Sequence, residues 1–159
     1  MDFSFTEEQE LLAENLVEFM DREFPESLIK ECDEQKIFPV EANKKFYEAG
    51  FGAIGVPEEL GGVPADMVTM CLVTSIVYRY SWAGCTYSPL SIMNAADKAS
   101  PEIRTEMLEG LMSGEKRHSF GNTEPGAGSD AAGIKTSYKK VDGGYVINGH
   151  KIYNTYASC

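Results

Sequence analysis

Apolar residues recur along the first 115 positions with a helical period. Thr6-Glu7-Glu8-Gln9 has capping-box spacing, and Leu12, Leu16 and Phe19 follow at i, i+4 and i+7, which puts one apolar stripe on an amphipathic helix. The acids in its first turns suit the positive end of the helix dipole. Pro25 and Pro39 bracket a second short helical stretch. A third runs from Pro39 to Ala49 and stops at Gly50, since glycine tolerates the positive φ of the residue after a helix. Val56-Pro57-Glu58-Glu59-Leu60-Gly61-Gly62 reads as a loop. From Asp66 to Tyr80 the chain is apolar nearly all round, through Met67, Val68, Met70, Cys71, Leu72, Val73, Ile76, Val77 and Tyr78. A helix with so little polar face is expected at the centre of a bundle, with its methionines as core filler. Ser100-Pro101-Glu102 joins an N-cap, a first-turn proline and a dipole-favoured acid, opening a helix through Met107, Leu108 and Leu111 that ends near Gly114.

Beyond Gly114 the period changes from helix to strand. Ile134 to Val141 reads as a strand, Asp142-Gly143-Gly144 as a turn, and Tyr145-Val146-Ile147 as a second strand. Asn148-Gly149, followed by His150-Lys151-Ile152-Tyr153, carries the strongest short hairpin signal. The expected fold class is mainly α: an N-terminal helical bundle over residues 1–115, followed by the first strands of a truncated β-barrel-like domain over residues 116–159. A sheet cut at Cys159 leaves an unpaired edge, which folded proteins normally avoid.

Charge and glycine support this division. The 159 residues hold 14 Lys+Arg and 25 Asp+Glu, net −11, which argues against nucleic acid as a partner because phosphate binding depends on Lys and Arg. Residues 1–60 carry 16 acidic and 5 basic side chains, whereas residues 61–159 carry 9 of each. Nine of the 15 glycines lie between Gly110 and Gly149, so an acidic, glycine-poor part gives way to a neutral, glycine-rich one. A hydrophobic content of 43% is enough for a packed core and excludes disorder. Cys32, Cys71, Cys85 and Cys159 form no CxxC pair and no zinc-ligand spacing, and they read as reduced thiols of a cytoplasmic protein without a metal site. MDFSFTEEQE lacks the basic and apolar regions of a signal peptide, and no apolar run approaches the roughly 20 residues of a membrane span. No membrane association is expected.

The chemistry concentrates in Phe120-Gly121-Asn122-Thr123-Glu124-Pro125-Gly126-Ala127-Gly128-Ser129-Asp130. Gly126 and Gly128 allow a tight turn that exposes successive amide N–H groups, a device that cradles an anion, and Thr123 and Ser129 add hydroxyl donors. Neither the Walker pattern nor the full GxGxxG fingerprint is present, so the residues by themselves read first as a solvent loop and only permit a nucleotide phosphate site. Ser129, Asp130 and His150 could be arranged as a hydrolytic triad, but GxSxG is absent and adjacent Ser and Asp side chains need not converge. His118 and His150 read as ordinary strand residues.

The complete stretch Thr123 to Asp130 resembles the flavin-loop signature of the acyl-CoA dehydrogenase family. Phe5-Thr6-Glu7-Glu8-Gln9 is similar to that family's opening helix, Val56-Pro57-Glu58-Glu59-Leu60-Gly61-Gly62 to its proline-glutamate-glycine loop, and Gly133-Ile134-Lys135-Thr136 with Asn148-Gly149-His150-Lys151-Ile152-Tyr153-Asn154-Thr155 to its β-domain hairpin. The resemblance implies an FAD enzyme that oxidises the Cα–Cβ bond of an acyl-CoA thioester, with hydride passing to flavin N5. It assigns the cofactor contacts to Phe120, Asn122, Thr123, Gly128, Ser129, Tyr153 and Thr155. Thr123 falls on the position that bonds the pyrimidine edge, Ser129 on one near the pyrophosphate and the CoA part of the substrate, Tyr153 on an aromatic lid and Thr155 on a hydroxyl near N5. It further implies electron-transfer flavoprotein as redox partner and a homotetrameric parent.

Tyr153 stands where the family usually has tryptophan, and Asn122 and Asn154 replace aliphatic residues. Glu58, Glu59 and Glu124 do not match the position of the family's catalytic glutamate, which lies in a C-terminal helical domain, so no catalytic residue is assigned in this chain. The expectation is an N-terminal part that is inactive by itself. Within the family, Glu31-Cys32-Asp33, Ala65 to Thr69 and Thr136-Ser137-Tyr138 are similar to the crotonobetainyl-CoA reductase type. The alternative from another class is a non-catalytic interaction module that presents the acidic Asp2–Glu59 face to a partner.

Overall fold

The computed structural model of the chain describes residues 4–80 and 87–155. They form two compact units, one ending at Arg117 and the other beginning at His118.

The first unit is helical: α1 (Glu7–Glu23), α2 (Glu26–Gln35), α3 (Val40–Glu48), α4 (Met67–Tyr80), α5 (Pro89–Lys98) and α6 (Pro101–Met112), with 3-10 turns at Phe51–Ala53 and Glu58–Leu60. The capping box forms as the sequence predicts. Gln9 N–H donates to Thr6 Oγ1 at 3.2 Å and Thr6 N–H donates to Gln9 Oε1 at 3.1 Å, so two backbone donors at the helix start are satisfied reciprocally. Pro25 and Pro39 precede α2 and α3, where a missing N–H costs nothing, and Gly50 ends the third stretch at φ 85°. α1 and α4 run side by side in the same sense. Gln9 Nε2 donates to Thr69 Oγ1 at 3.1 Å near their starts, and Tyr80 OH donates to Asp21 Oδ1 at 2.6 Å near their ends.

The core gathers one face of each of these elements. Leu16, Met20 and Phe24, with Phe46, Val56, Val73 and Val77, are fully buried. The ring of Phe46 lies within 6.4 Å, centroid to centroid, of the rings of Phe19, Tyr47, Phe51 and Tyr87, in tilted or edge-on arrangements that suit the ring quadrupoles. Tyr87 OH donates to the carbonyl of Ile54 at 3.0 Å, and burial pushes this hydroxyl up to about 12, so it stays protonated and keeps donating.

Two helical expectations need correction. α4 is not enclosed: Val73 and Val77 are buried, but Met67, Val68, Cys71 and Tyr78 are exposed. An apolar composition records that a face is suited to contact, whereas position in the bundle depends on which face α1 takes, and α1 takes only one. α5 lies outside the helices read from the sequence. Its signal is Ser88-Pro89, the same N-cap and first-turn proline signature that marks α6.

The second unit holds a 3-10 turn at Ala131–Gly133 and the antiparallel pair β1 (Ser137–Val141) and β2 (Gly144–Asn148), in the register Ser137↔Asn148 to Val141↔Gly144. The hairpin turns at Asp142-Gly143, with Gly143 at φ 77°, as the sequence predicts for that turn. Asn148-Gly149 does not make a second hairpin, and residues 150–153 form no strand against β2. Ile152 N–H donates instead to the carbonyl of Thr123 at 2.9 Å, so this segment runs along the loop at 120–124. Tyr138 and Tyr145, diagonal neighbours across the ladder, meet edge-on at 5.8 Å.

Among the described residues no helix is long and apolar enough to cross a membrane. Cys32 is buried and Cys71 exposed, both as free thiols, while Asp2, Cys85 and Cys159 lie outside the described residues.

Candidate functional site

The glycine-bearing loop opens next to a tight turn. Glu124 and Ala127 exchange backbone hydrogen bonds, N–H of 124 to O of 127 at 2.9 Å and N–H of 127 to O of 124 at 3.1 Å, with Pro125 and Gly126 at the corner. Pro125 presets φ for the corner. Neither Gly126 nor Gly128 takes a positive φ. A Cβ built on either meets nothing within 4 Å. The protein's own backbone and packing therefore do not require glycine at these two positions. The space in front of both backbones is open, as a solvent loop or a close ligand approach would equally require.

The segment at 151–155 lies alongside this loop and is fixed at both ends. Lys151 Nζ donates to the carbonyl of Asn122 at 2.9 Å and pairs with Glu124 Oε1 at 2.9 Å. At the other end Phe120 and Thr155 form an antiparallel bridge, and Ser119 Oγ donates to the carbonyl of Thr155 at 2.7 Å. Between these anchors Tyr153 adopts φ 56°. For a bulky side chain the left-handed region costs about 1–2 kcal/mol, a strain that persists only where the surroundings enforce it. The ring so presented is 86% exposed, and the Phe120 ring is 61% exposed.

The structure thus brings Phe120, Asn122, Thr123, Gly128, Ser129, Tyr153 and Thr155 into one unit, on two segments bonded to each other. The hydroxyls of Thr123 and Ser129 make no hydrogen bond among the described residues, so both remain available to a ligand. Asn154 differs, because its amide oxygen reaches back to the loop and sits 2.7 Å from where a Cβ on Gly121 would be. Ser129, Asp130 and His150 make no hydrogen-bonded chain with one another among the described residues, which removes the triad arrangement.

The residue sequence reasoning missed is Glu124, the most buried charged side chain of the site. Its carboxylate accepts from the Thr136 hydroxyl and from the N–H groups of Lys135 at 2.7 Å and Thr136 at 2.9 Å. The Thr136 hydroxyl, the Lys135 amide and the Lys151 ammonium hold the carboxyl down at about 2, so it is ionised at neutral pH. Its signal was the lysine 27 positions downstream, but no local spacing joins Glu124 to Lys151 before the loop is folded.

This arrangement coincides with similarity to known proteins along the whole chain. The family model described as "Acyl-CoA dehydrogenase, N-terminal domain" matches residues 6–115. The probable acyl-CoA dehydrogenase YdiO of Escherichia coli K12 is 34% identical over 157 residues, covering 98% of this chain and 41% of that protein. The 3-(aryl)acrylate reductase of Clostridium sporogenes is 33% identical over 155 residues, covering 95% of this chain and 41% of that protein. The solved acyl-CoA dehydrogenase of Bacillus anthracis, complexed with FAD, superposes with a TM-score of 0.71 at 27% identity, over 96% of this chain and 27% of that one. The chain spans about two-fifths of the length of the curated relatives it matches. With the family model covering the six helices of the described residues and the alignment to the curated relative spanning 98% of the chain, this chain belongs to the acyl-CoA dehydrogenase family.

Proposed function

We propose that the chain supplies one side of the FAD site of an oxidoreductase acting on the Cα–Cβ bond of acyl-CoA thioesters. The observation that carries this reading is the pair Gly126 and Gly128, which face open space for no reason of backbone or packing, in one unit with two hydroxyls that find no partner among the described residues and two exposed rings. These residues fit a flavin nucleotide. Hydroxyl donors suit its polar ring edge, bare backbone admits its phosphates, and aromatic faces suit its planar ring system.

FAD supplies hydride transfer to or from the substrate's β carbon when bound. Thr123 is assigned to hydrogen-bonding the polar edge of the ring, and Gly128 to admitting the cofactor close to the backbone. Ser129 binds near the pyrophosphate and the CoA portion of the substrate. Tyr153 and Phe120 cover apolar ring surface, and Asn122 and Thr155 complete the wall. The catalytic glutamate and the tetramer interface are assigned to sequence that the longer relatives carry outside the matched two-fifths. Electron-transfer flavoprotein is the proposed redox partner, and the cytoplasm the proposed compartment. Similarity to the 3-(aryl)acrylate reductase supports the reductive direction as a second reading of the same site.

The test uses the full-length gene product. It should purify yellow, and anaerobic addition of a reactive acyl-CoA should bleach the flavin band, or an enoyl-CoA should restore it after chemical reduction. A colourless protein that FAD cannot reconstitute removes the flavoenzyme reading. It would leave the acidic helical module, whose net charge over residues 1–60 is −11, as the function to pursue.

A further inference from the structure

Glu124 is not among the atoms near the open space in front of the glycines, yet four donors from two other stretches of chain, 135–136 and 151, converge on it. Oε2 accepts the Lys135 N–H at 2.7 Å, and Oε1 accepts the Thr136 N–H at 2.9 Å, the Thr136 hydroxyl and the Lys151 ammonium at 2.9 Å. The carboxylate is 8% exposed. Lys151 uses the same ammonium to hold the carbonyl of Asn122, and the next residue, Ile152, donates its N–H to Thr123. One side chain thus ties the loop that carries Thr123 to the start of β1 and to the arch that carries Tyr153.

We propose that Glu124 is a positioning residue of the flavin site: through Lys151 it fixes the separation between Thr123 and Tyr153, so that both meet one ligand. The inference rests on the flavin reading above. An isosteric amide cannot do the same work. Glutamine offers a single acceptor oxygen, and its NH2 group would confront an amide donor or the Lys151 ammonium. The charge matters as well as the shape, because charge-assisted bonds are about twice as strong as neutral ones and Lys151 would otherwise be left partly buried without its counter-ion.

The experiment compares wild type, Glu124→Gln, Lys151→Met and Lys151→Arg in the full-length protein. It records the FAD dissociation constant and visible spectrum, and amide exchange in the flavin-free state. Glu124→Gln should weaken FAD binding by about ten-fold or more and alter the shape of the flavin band, with the helical circular dichroism unchanged. Its Lys135, Thr136 and Ile152 amides should exchange faster. Lys151→Met should speed exchange at Ile152 while Lys135 and Thr136 stay protected, and Lys151→Arg should recover most of the wild-type affinity. A wild type that never takes up flavin overturns the flavin reading and this proposal with it. A wild type that binds, with a Glu124→Gln variant of equal affinity and identical spectrum, overturns the proposal alone. Should Glu124→Gln not fold, wild-type affinity in Lys151→Met overturns it equally.

Discussion

Gly149→Ala tests the geometry of this site without touching any group proposed to meet a ligand. A Cβ at Gly149 would stand 2.0 Å from Thr136 Oγ1, 2.6 Å from its Cβ and 2.7 Å from its Cγ2, whereas ordinary contact begins at 3.4 Å. Thr136 would have to withdraw by about 1.4 Å, the difference between 3.4 and 2.0 Å. It is not free to do so, because its N–H and its hydroxyl are both bonded to Glu124 Oε1. Forcing a methyl into a site packed this closely costs about 1–3 kcal/mol. At about 1.4 kcal/mol per factor of ten, local opening becomes about 5-fold to about 150-fold more frequent. The assay is amide hydrogen exchange by NMR at Lys135 and Thr136, whose N–H groups point into the Glu124 carboxylate. Gly144→Ala is the control: it lies in β2, meets nothing within 4 Å and needs no positive φ, so its rates should stay within about two-fold of wild type. Wild-type protection of Lys135 and Thr136 in Gly149→Ala would refute the packing and the carboxylate-centred site built on it.

Gly128→Ala should leave the flavin-free fold within about 0.5 kcal/mol of wild type, since its methyl enters open space, yet weaken FAD uptake of the full-length protein several-fold; equal uptake would count against close ligand approach. Acid should loosen the second unit first. The Glu124 carboxyl is held near 2 against an ordinary value of 4.5, so its stabilisation is complete above about 4.5 and is lost as the pH falls from there towards 2. Exchange at Lys135 and Thr136 should therefore rise, beyond its intrinsic pH dependence, across that interval, and a flat profile would contradict the ion pair. Thr6→Ala removes one half of the capping box and should cost about 1 kcal/mol, read as a lower urea midpoint at unchanged slope with the Lys135 and Thr136 amides unaffected; an unchanged midpoint would show that the cap does not hold α1.

The helical part was legible wherever its signals are local. A capping box, prolines before helices and glycines after them report on the backbone within four residues, and Thr6, Pro25, Pro39, Gly50 and Gly114 all do what their spacing says, while Ser100 takes the N-cap position without a side-chain capping bond. The exposure of α4 was not legible, because hydropathy records which surface is apolar and not which neighbour covers it. Asn148-Gly149 misled for a related reason: its turn propensity is real, but the contact of Gly149 with Thr136 and the bonds of Lys151 and Ile152 to the 122–124 stretch outweigh it. The site residues were found through a motif. The carboxylate that joins them was passed over, since its partners lie 11, 12 and 27 positions away and no periodicity marks them.

The β1–β2 ribbon carries a practical consequence for handling the chain. Tyr138, Tyr145 and Ile147 are all more than 60% exposed, and among the described residues no strand pairs with either outer rim. Such a rim is a template on which another chain can add a strand, and its stickiness grows with concentration and with salt. Lys139 and Lys140, adjacent in β1 and therefore on opposite faces, place one positive charge on each face of the ribbon, which opposes such pairing. Neutralising the two would turn the ribbon from a solvated flap into a seed for precipitation.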